Sequence, residues 1–314
     1  MTTSITLNDL YARQIALIGK EAFLKIRQAK VLVIGAGGLG CPALQYLASS
    51  AIGKIGIMDF DHVSASNLQR QILFQVSDLG KKKVDVARDK LAQLAPFCEW
   101  QVHPHFLNSL NAEDIISTYD LILDCTDNFQ AKFLIHDVCL MTKKVLIQAS
   151  VYQYEGQLQV FDFRDSSGPC LRCLWPKEPQ DGCVGTCAEV GVMGPLLGVL
   201  GSLQAAEAIK IFCDQTHLKN GESLFVDLLT LSFDLRRFGQ LKECAHCVKR
   251  EFVLKDSREI LLPLELDKFI ILDVRSHQEV EECSLYARLK NQENYLQVPL
   301  DNISKFRPIR GRKY

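Results

Sequence analysis

Residues 31–40 read VLVIGAGGLG, a short apolar strand that runs directly into Gly35, Gly37 and Gly40 at G-x-G-x-x-G spacing. A strand feeding a glycine loop commits the chain to a turn tight enough for backbone N–H groups to close on a phosphate at a helix N-terminus. The next apolar strand, 55–58, ends in Asp59, where a carboxylate reaches ribose hydroxyls. These features alone suit any dinucleotide enzyme. Arg70 and Lys83 follow, and they change the reading. A redox cofactor needs no cations near its phosphates beyond the loop, whereas a triphosphate that is being split does.

The alternation continues beyond this unit. Strands are expected at 31–34, 55–58, 99–103, 120–124 and 145–149, with helices near 39–52, 80–94, 112–118 and 129–141. In the second helix Val84, Ala87, Leu91 and Leu94 recur at helical spacing and Pro96 marks the stop. Strand–helix alternation of this length implies a mostly parallel sheet with helices on both faces. After residue 150 the pattern changes. Segments 156–163, 223–229 and 230–235 read as strands of an antiparallel addition, interrupted by a Cys-, Gly- and Pro-rich loop at 168–189. Near 249 the composition shifts again, and the last fifteen residues are basic and poorly patterned.

At 314 residues the chain is long enough for about two domains, and its 47% hydrophobic content and net charge of −1 describe an ordinary globular protein. That charge argues against nucleic acid as the main partner, which calls for a basic face. The apolar run 190–212 is broken by five residues, Gly191, Gly194, Pro195, Gly198 and Gly201, and carries Gln204, Glu207 and Lys210, so it reads as a packed helix rather than a membrane span. The N-terminal stretch MTTSITLNDLYARQ lacks an apolar segment, which places the protein in the cytoplasm. There the 12 cysteines should be thiols rather than disulfides.

Their spacing is informative. Cys170-x-x-Cys173 and Cys244-x-x-Cys247 are two knuckles, each able to present two thiolates to a tetrahedral ion. Together they make a closed four-sulfur zinc site with no open position for chemistry; buried inert cysteines are the plain alternative. His246 reads as a bystander. Cys187, in a glycine-rich loop before the apolar helix, is equally a reactive thiol or a small core residue, and Cys183 competes with it.

Taken together, YARQI (11–15), GAGGLG (35–40), DFDHVSASNLQRQ (59–71), GKKK (80–83), DCTDN (124–128), both knuckles and the run 186–210 resemble the MoeB/ThiF family, the bacterial relatives of ubiquitin-activating enzymes. The resemblance covers about residues 5–248. It implies a doubly wound, mostly parallel Rossmann-like α/β sheet with an antiparallel, zinc-pinned extension. It also implies an ATP-dependent adenylyltransferase that activates the C-terminal glycine carboxylate of a small MoaD- or ThiS-like sulfur carrier ending in Gly-Gly, in molybdenum cofactor or thiamine biosynthesis. In this family Gly35, Gly37, Gly38 and Gly40 would contact the nucleotide, Asp59 the ribose, and Asn67, Arg70 and Lys83 the phosphates, with Asp61 also in the nucleotide site. Asp127 would position Mg2+ beside Asn128, and Arg13 would reach into the partner's site of a homodimer. For Arg13 the plain alternative is a surface arginine on an N-terminal helix; for Asp127 it is an Asx turn ending a strand. A carboxylate is already ionised at neutral pH, with an ordinary value of about 3.3–3.7, so no general base and no catalytic histidine are required.

Residues 269–303 resemble the opening of a rhodanese-type sulfurtransferase domain, and the only cysteine beyond 247 is Cys283. The expectation is a truncated rhodanese-like segment, 249–314, after an adenylyltransferase domain, 1–248, with sulfur coming from a separate donor protein. Three rival readings remain at this stage. One is an NAD-dependent oxidoreductase on the same glycine loop, one a non-catalytic carrier-binding scaffold, and one the same chemistry on a non-protein carboxylate such as modified tRNA.

Overall fold

Val31 and Val33 belong to one apolar core and Leu32 and Ile34 to another, because successive side chains of a strand point to opposite faces. This two-faced burial organises the whole molecule. The computed structural model describes residues 6–165, 168–179, 191–252, 254, 271–273 and 295–297. They divide into two units, Met1–Asp256 and Ser257–Tyr314.

In the first unit, helix α1 (Leu7–Gln28) is started by a capping box in which Thr6 and Asp9 satisfy each other's backbone N–H groups, and it kinks at Gly19, whose φ is +81°. There follow β1 (Lys30–Ile34), α2 (Gly40–Ala48), β2 (Lys54–Met58), α3 (Lys83–Leu94), β3 (Glu99–His103), α4 (Ala112–Ser117), β4 (Leu121–Asp124), α5 (Phe129–Met141) and β5 (Val145–Tyr152). Then come β6 (Glu155–Asp162), the single turn α6 (Leu171–Leu174), α7 (Gly194–Phe212), β7 (Glu222–Asp227) and β8 (Ser232–Arg237). The eight strands form one sheet in the order β3-β2-β1-β4-β5-β6-β7-β8. The first five are parallel and the last three antiparallel. Helices α2, α3 and α7 contribute to the core on one face, α4 and α5 to the core on the other.

Some boundaries move for local reasons. The helix expected over 39–52 ends at Ala48, because Ala51 takes a φ of +64° and Gly53 lies where a Cβ would stand 2.1 Å from the Arg27 carbonyl oxygen. The helix expected from residue 80 begins at Lys83, since Gly80 has a φ of +80° and Lys82 is extended. Leu94, expected on its core face, is exposed, and Val86 is buried instead. The last antiparallel strand begins at Ser232 because Asp227 accepts hydrogen bonds from Leu229 N (2.7 Å) and the Thr230 hydroxyl (2.6 Å), which fixes the hairpin turn.

Helix α7 is long and apolar enough by composition to cross a membrane, yet half of that window is buried in the protein. It packs on α2, β5 and β6. Gly201 permits the close approach to α2: a Cβ there would stand 2.3 Å from the Leu39 carbonyl oxygen. The second unit contains two three-residue strands, β9 (Ile271–Asp273) and β10 (Tyr295–Gln297), paired in parallel with Ile271 opposite Tyr295.

Candidate active site

Strand β1 has β2 on one side and β4 on the other, so the chain's direction of winding reverses between β1 and β4. Ligands of open α/β sheets bind outside the carboxyl ends of the strands at such a switch point. Both loops singled out from the sequence emerge there. Gly35, with a φ of +96°, donates to the Met58 carbonyl (2.7 Å), and a Cβ on it would lie 2.7 Å from the carbonyl oxygen of Cys125. The glycine loop and the DCTDN turn therefore abut, and only glycine fits at that point. Gly40 is similarly required, since a Cβ would meet the Gly35 carbonyl oxygen at 1.9 Å.

Asp59, at the end of β2, accepts from Ala36 N (2.7 Å) and Asp61 N (2.8 Å), which binds its carboxylate to the glycine loop. Burial pushes its carboxyl above the ordinary range, opposed by the Lys83 charge and these two amides. Lys83 is the first residue of α3, where the helix dipole disfavours a cation. Its side chain is nevertheless only 4% exposed, and it pairs with Asp61 at 2.9 Å, whose side chain is 50% exposed. The buried cation is thus compensated by a single half-exposed carboxylate. Arg70 is half-buried and donates to the Ser66 carbonyl (3.0 Å), the rest of its guanidinium making no ion pair among the described residues. Asp127 is exposed and has neither a hydrogen bond nor an ion pair among the described residues, which suits a carboxylate kept for a cation. Asn128 is committed otherwise: its side chain caps α5, accepting from Ala131 N at 2.8 Å.

Arg13 is exposed on α1 and Asn67 half-buried at the end of a 3-10 turn. Cys187 and its competitor Cys183 lie outside the described residues, as does Cys283. One residue of the crevice escaped the sequence reading. Gln71 is 4% exposed, its Oε1 is buried without a hydrogen-bond partner, and its Nε2 would stand 3.6 Å from a Cβ on Gly37. Its presence in QRQ was visible; that its amide turns inward beside the glycine loop was not.

The four knuckle cysteines meet on the opposite core. Cys170–Cys173, Cys170–Cys244 and Cys173–Cys247 sulfur distances are 4.0, 3.7 and 3.5 Å, and all four sulfurs lie within 4.8 Å of one another. A tetrahedral ion with metal–sulfur bonds of about 2.3 Å gives sulfur–sulfur edges of about 3.8 Å. The cluster fits a zinc ion and is far too open for a disulfide. Burial, then the neighbouring thiols, push the Cys170 thiol upward, a cost that a bound dication reverses. Leu241 N and Gln240 Nε2 donate to the sulfurs of Cys173 (3.4 Å) and Cys247 (3.3 Å), supporting the ligands from outside. His246 is not a ligand; it faces Asp137 at 3.6 Å. Arg172, between the first two cysteines, bonds Asp137 of α5 at 2.7 Å, anchoring the knuckle to the helix that follows the DCTDN turn.

Known proteins resemble this arrangement in sequence and in shape. The ThiF family model matches residues 11–247. A sulfur carrier protein adenylyltransferase of Thermus thermophilus is 40% identical over 244 residues, which cover 76% of this chain and 90% of that protein. An adenylyltransferase and sulfurtransferase MOCS3 of Culex quinquefasciatus is 40% identical over 284 residues; they cover 88% of this chain but 64% of the relative, so the chain spans less than two thirds of that protein's length. A crystal structure of E. coli MccB with AMPCPP and MccA superposes with a TM-score of 0.67 at 20% identity, covering 78% of this chain and 75% of the other, a likeness of fold alone. With its glycine loop, its DCTDN turn and both knuckles inside the matched segment, the chain belongs to the ThiF family.

Proposed function

We propose that the chain uses ATP to adenylylate the C-terminal glycine carboxylate of a small ubiquitin-like sulfur-carrier protein ending in Gly-Gly. One observation carries this reading: at the switch point a buried lysine, held by a half-exposed aspartate, and an unpaired aspartate frame the same crevice as the glycine loop. The Thermus relative is named for this activity, and its match extends over most of both chains.

The carboxylate oxygen attacks the α-phosphorus of ATP, the bond from that phosphorus to the bridging oxygen breaks, and pyrophosphate leaves with the electron pair. An acyl-adenylate remains. No proton must be removed, because the nucleophile is already anionic. The obstacle is the approach of two anions, and cationic side chains lower it by stabilising charge as it develops. Asp59 and the glycine loop hold the nucleoside end, with Asp61 beside them, and Asn67 joins the side chains that bind the phosphates. Lys83 and Arg70 face the phosphates. Mg2+, held through Asp127 next to Asn128, would supply the remaining positive charge. Arg13 contributes from the partner of a homodimer, since it projects from α1 into solvent. The four-cysteine cluster holds Zn2+ as a structural ion.

Cys187 acts, on this reading, after the adenylate: its thiolate attacks the acyl carbon, a thioester to the carrier forms and AMP leaves with the electron pair, the carrier's sulfur then coming from a separate donor. Residues 249–314 are the rhodanese-like part. The free thiols among the described cysteines fit a reducing, cytoplasmic setting. The pathway served is molybdenum cofactor or thiamine biosynthesis, according to the carrier.

ATP–pyrophosphate exchange with magnesium, measured against each small Gly-Gly-ended carrier of the same organism, tests the reading. Exchange that depends on one carrier is expected and names the pathway. No exchange with any carrier, in folded and zinc-loaded protein, would transfer the assignment to a carrier-binding scaffold or to a non-protein carboxylate.

A further inference from the structure

Asp124 ends β4 one turn before Asp127, and it is completely buried. Its Oδ1 accepts from Thr126 N (2.9 Å) and from the Thr126 hydroxyl (2.6 Å), while its Oδ2 accepts from Lys132 Nζ (3.2 Å) and Gln148 Nε2 (2.8 Å). Lys132, on α5 and also buried, donates a second hydrogen bond to the Ala149 carbonyl (2.6 Å). Gln204, from α7 and 0% exposed, donates to the carbonyls of Asp124 (2.9 Å) and Ile147 (3.2 Å) and accepts from the Cys125 thiol (3.3 Å). Side chains from α5, β5 and α7 thus converge on Asp124 and Cys125, and Asp124 in turn holds Thr126.

Such a network is a poor way to gain stability. Burying two opposite charges costs about as much as their attraction returns, and apolar replacements of similar volume are often neutral or stabilising. What full satisfaction of every donor and acceptor does provide is a single geometry. Here the network also holds the β5 carbonyls of Ile147 and Ala149, but those belong to a strand already paired on both sides, whereas the turn between β4 and α5 has no ladder of its own. That turn abuts Gly35 and carries Asp127, which has no hydrogen bond among the described residues to hold it. Misplacement of a reacting group by about 1 Å can cost about 100-fold in rate.

We propose that Asp124, Lys132 and Gln204 are positioning residues that hold the 126–128 turn, and hence the Asp127 carboxylate, at the mouth of the crevice. The consequence for turnover rests on the adenylyltransferase reading; the consequence for the turn does not. Two readouts keep them apart. In full-length protein, amide hydrogen exchange over residues 124–131 is expected to quicken about tenfold or more in D124N/K132M, which removes both charges together, and in T126V, which removes one hydroxyl. Carrier-dependent ATP–pyrophosphate exchange should lose about 10- to 100-fold in kcat in D124N/K132M while KM for ATP stays within about twofold, since the glycine loop and Asp59 are untouched. Affinity for ATP without magnesium, read calorimetrically, should likewise hold, and K132R should recover most of the kcat. Should D124N/K132M fail to fold, T126V decides by the same measurements. Unchanged amide exchange in a folded variant overturns the proposal. So does a kcat within twofold of the parent, or a KM for ATP that rises as kcat falls. If the parent itself shows no pyrophosphate exchange, the adenylyltransferase reading falls, and the amide exchange still decides whether these residues hold the turn.

Discussion

The crevice lies at the carboxyl ends of the parallel strands and the cysteine corner in the core on one face of the sheet, and they treat their polar groups in opposite ways. In the corner every sulfur is buried, each of four ligand positions is filled by cysteine, and the groups behind them are satisfied: His136 accepts from Leu171 N (3.0 Å) and bonds Asp137 (2.8 Å), which pairs with Arg172. In the crevice the groups are left unfinished. Asp127 is exposed, Arg70 uses one nitrogen, and Asp127 and Gln71 Oε1 have no partner among the described residues. A saturated cluster can only hold the fold together, whereas an unsaturated one has bonds to give a ligand. The contrast separates structural chemistry from reactive chemistry without reference to any relative.

Four measurements can break this contrast. The largest effect is expected in the corner: Cys244→Ser, or chelation, should release the metal and cost on the order of 10 kcal/mol, unfolding the segments around 168–174 and 241–247. Metal analysis alongside a denaturant melt checks it, and an unchanged melt would remove the structural ion. In the crevice Asp127→Ala should do the reverse, cutting pyrophosphate exchange by about 100- to 1,000-fold while metal content and the melt stay put. Retained exchange would take Asp127 out of the mechanism.

The Lys83–Asp61 pair sharpens the comparison within the crevice. Because Lys83 is buried and Asp61 half-exposed, the two removals are unequal. Asp61→Asn leaves a buried charge with weakened pairing and should cost about 1–3 kcal/mol, whereas Lys83→Met leaves a carboxylate that water can solvate and should cost less while abolishing exchange. Equal losses of stability would contradict the asymmetry. The smallest effect concerns Asp78, which anchors the loop between Arg70 and Lys83. Burial pushes its carboxyl upward, but hydrogen bonds from Lys90 and from Gln75 N, with the Lys90 and Lys81 charges, hold it below its ordinary 3.8. A carboxyl lowered on folding stabilises the native state above its unfolded value and loses that contribution as pH falls through the folded value. Acid titration of the melt should therefore show a stability loss below about pH 4 that is smaller in Asp78→Asn than in the parent. A parent and a variant with the same acid limb would exclude Asp78 as its source.

Most of the first unit was legible in the chain. Short apolar runs such as Val31–Ile34 and helical spacing at Val84, Ala87 and Leu91 depend on local pattern, and both recur in the structure. Element ends were less legible because they hang on single backbone states, such as the positive φ of Ala51 and Gly80, or on contacts distant in sequence, such as Gly53 against Arg27. The knuckles were legible because C-x-x-C is a short-range signature, and their convergence in space agrees with it. Gln71, Lys132 and Gln148 were not singled out, and Gln204 was read only as a polar residue at odds with a membrane span. Each is an unremarkable polar residue whose importance comes from burial and from partners up to 80 residues away.

By itself the sequence determined the alternation of elements, the glycine loop, the acidic strand end and the two pairs of thiols, because each is set by propensities and spacings within a few residues. Only the tertiary structure decided which loops meet, that Gly35 must lie against Cys125, that Lys83 is withdrawn from water beside Asp61, and that Asp124 is locked from three sides. Those properties arise from desolvation and close approach, which depend on what the rest of the chain places alongside a residue and not on its neighbours in sequence.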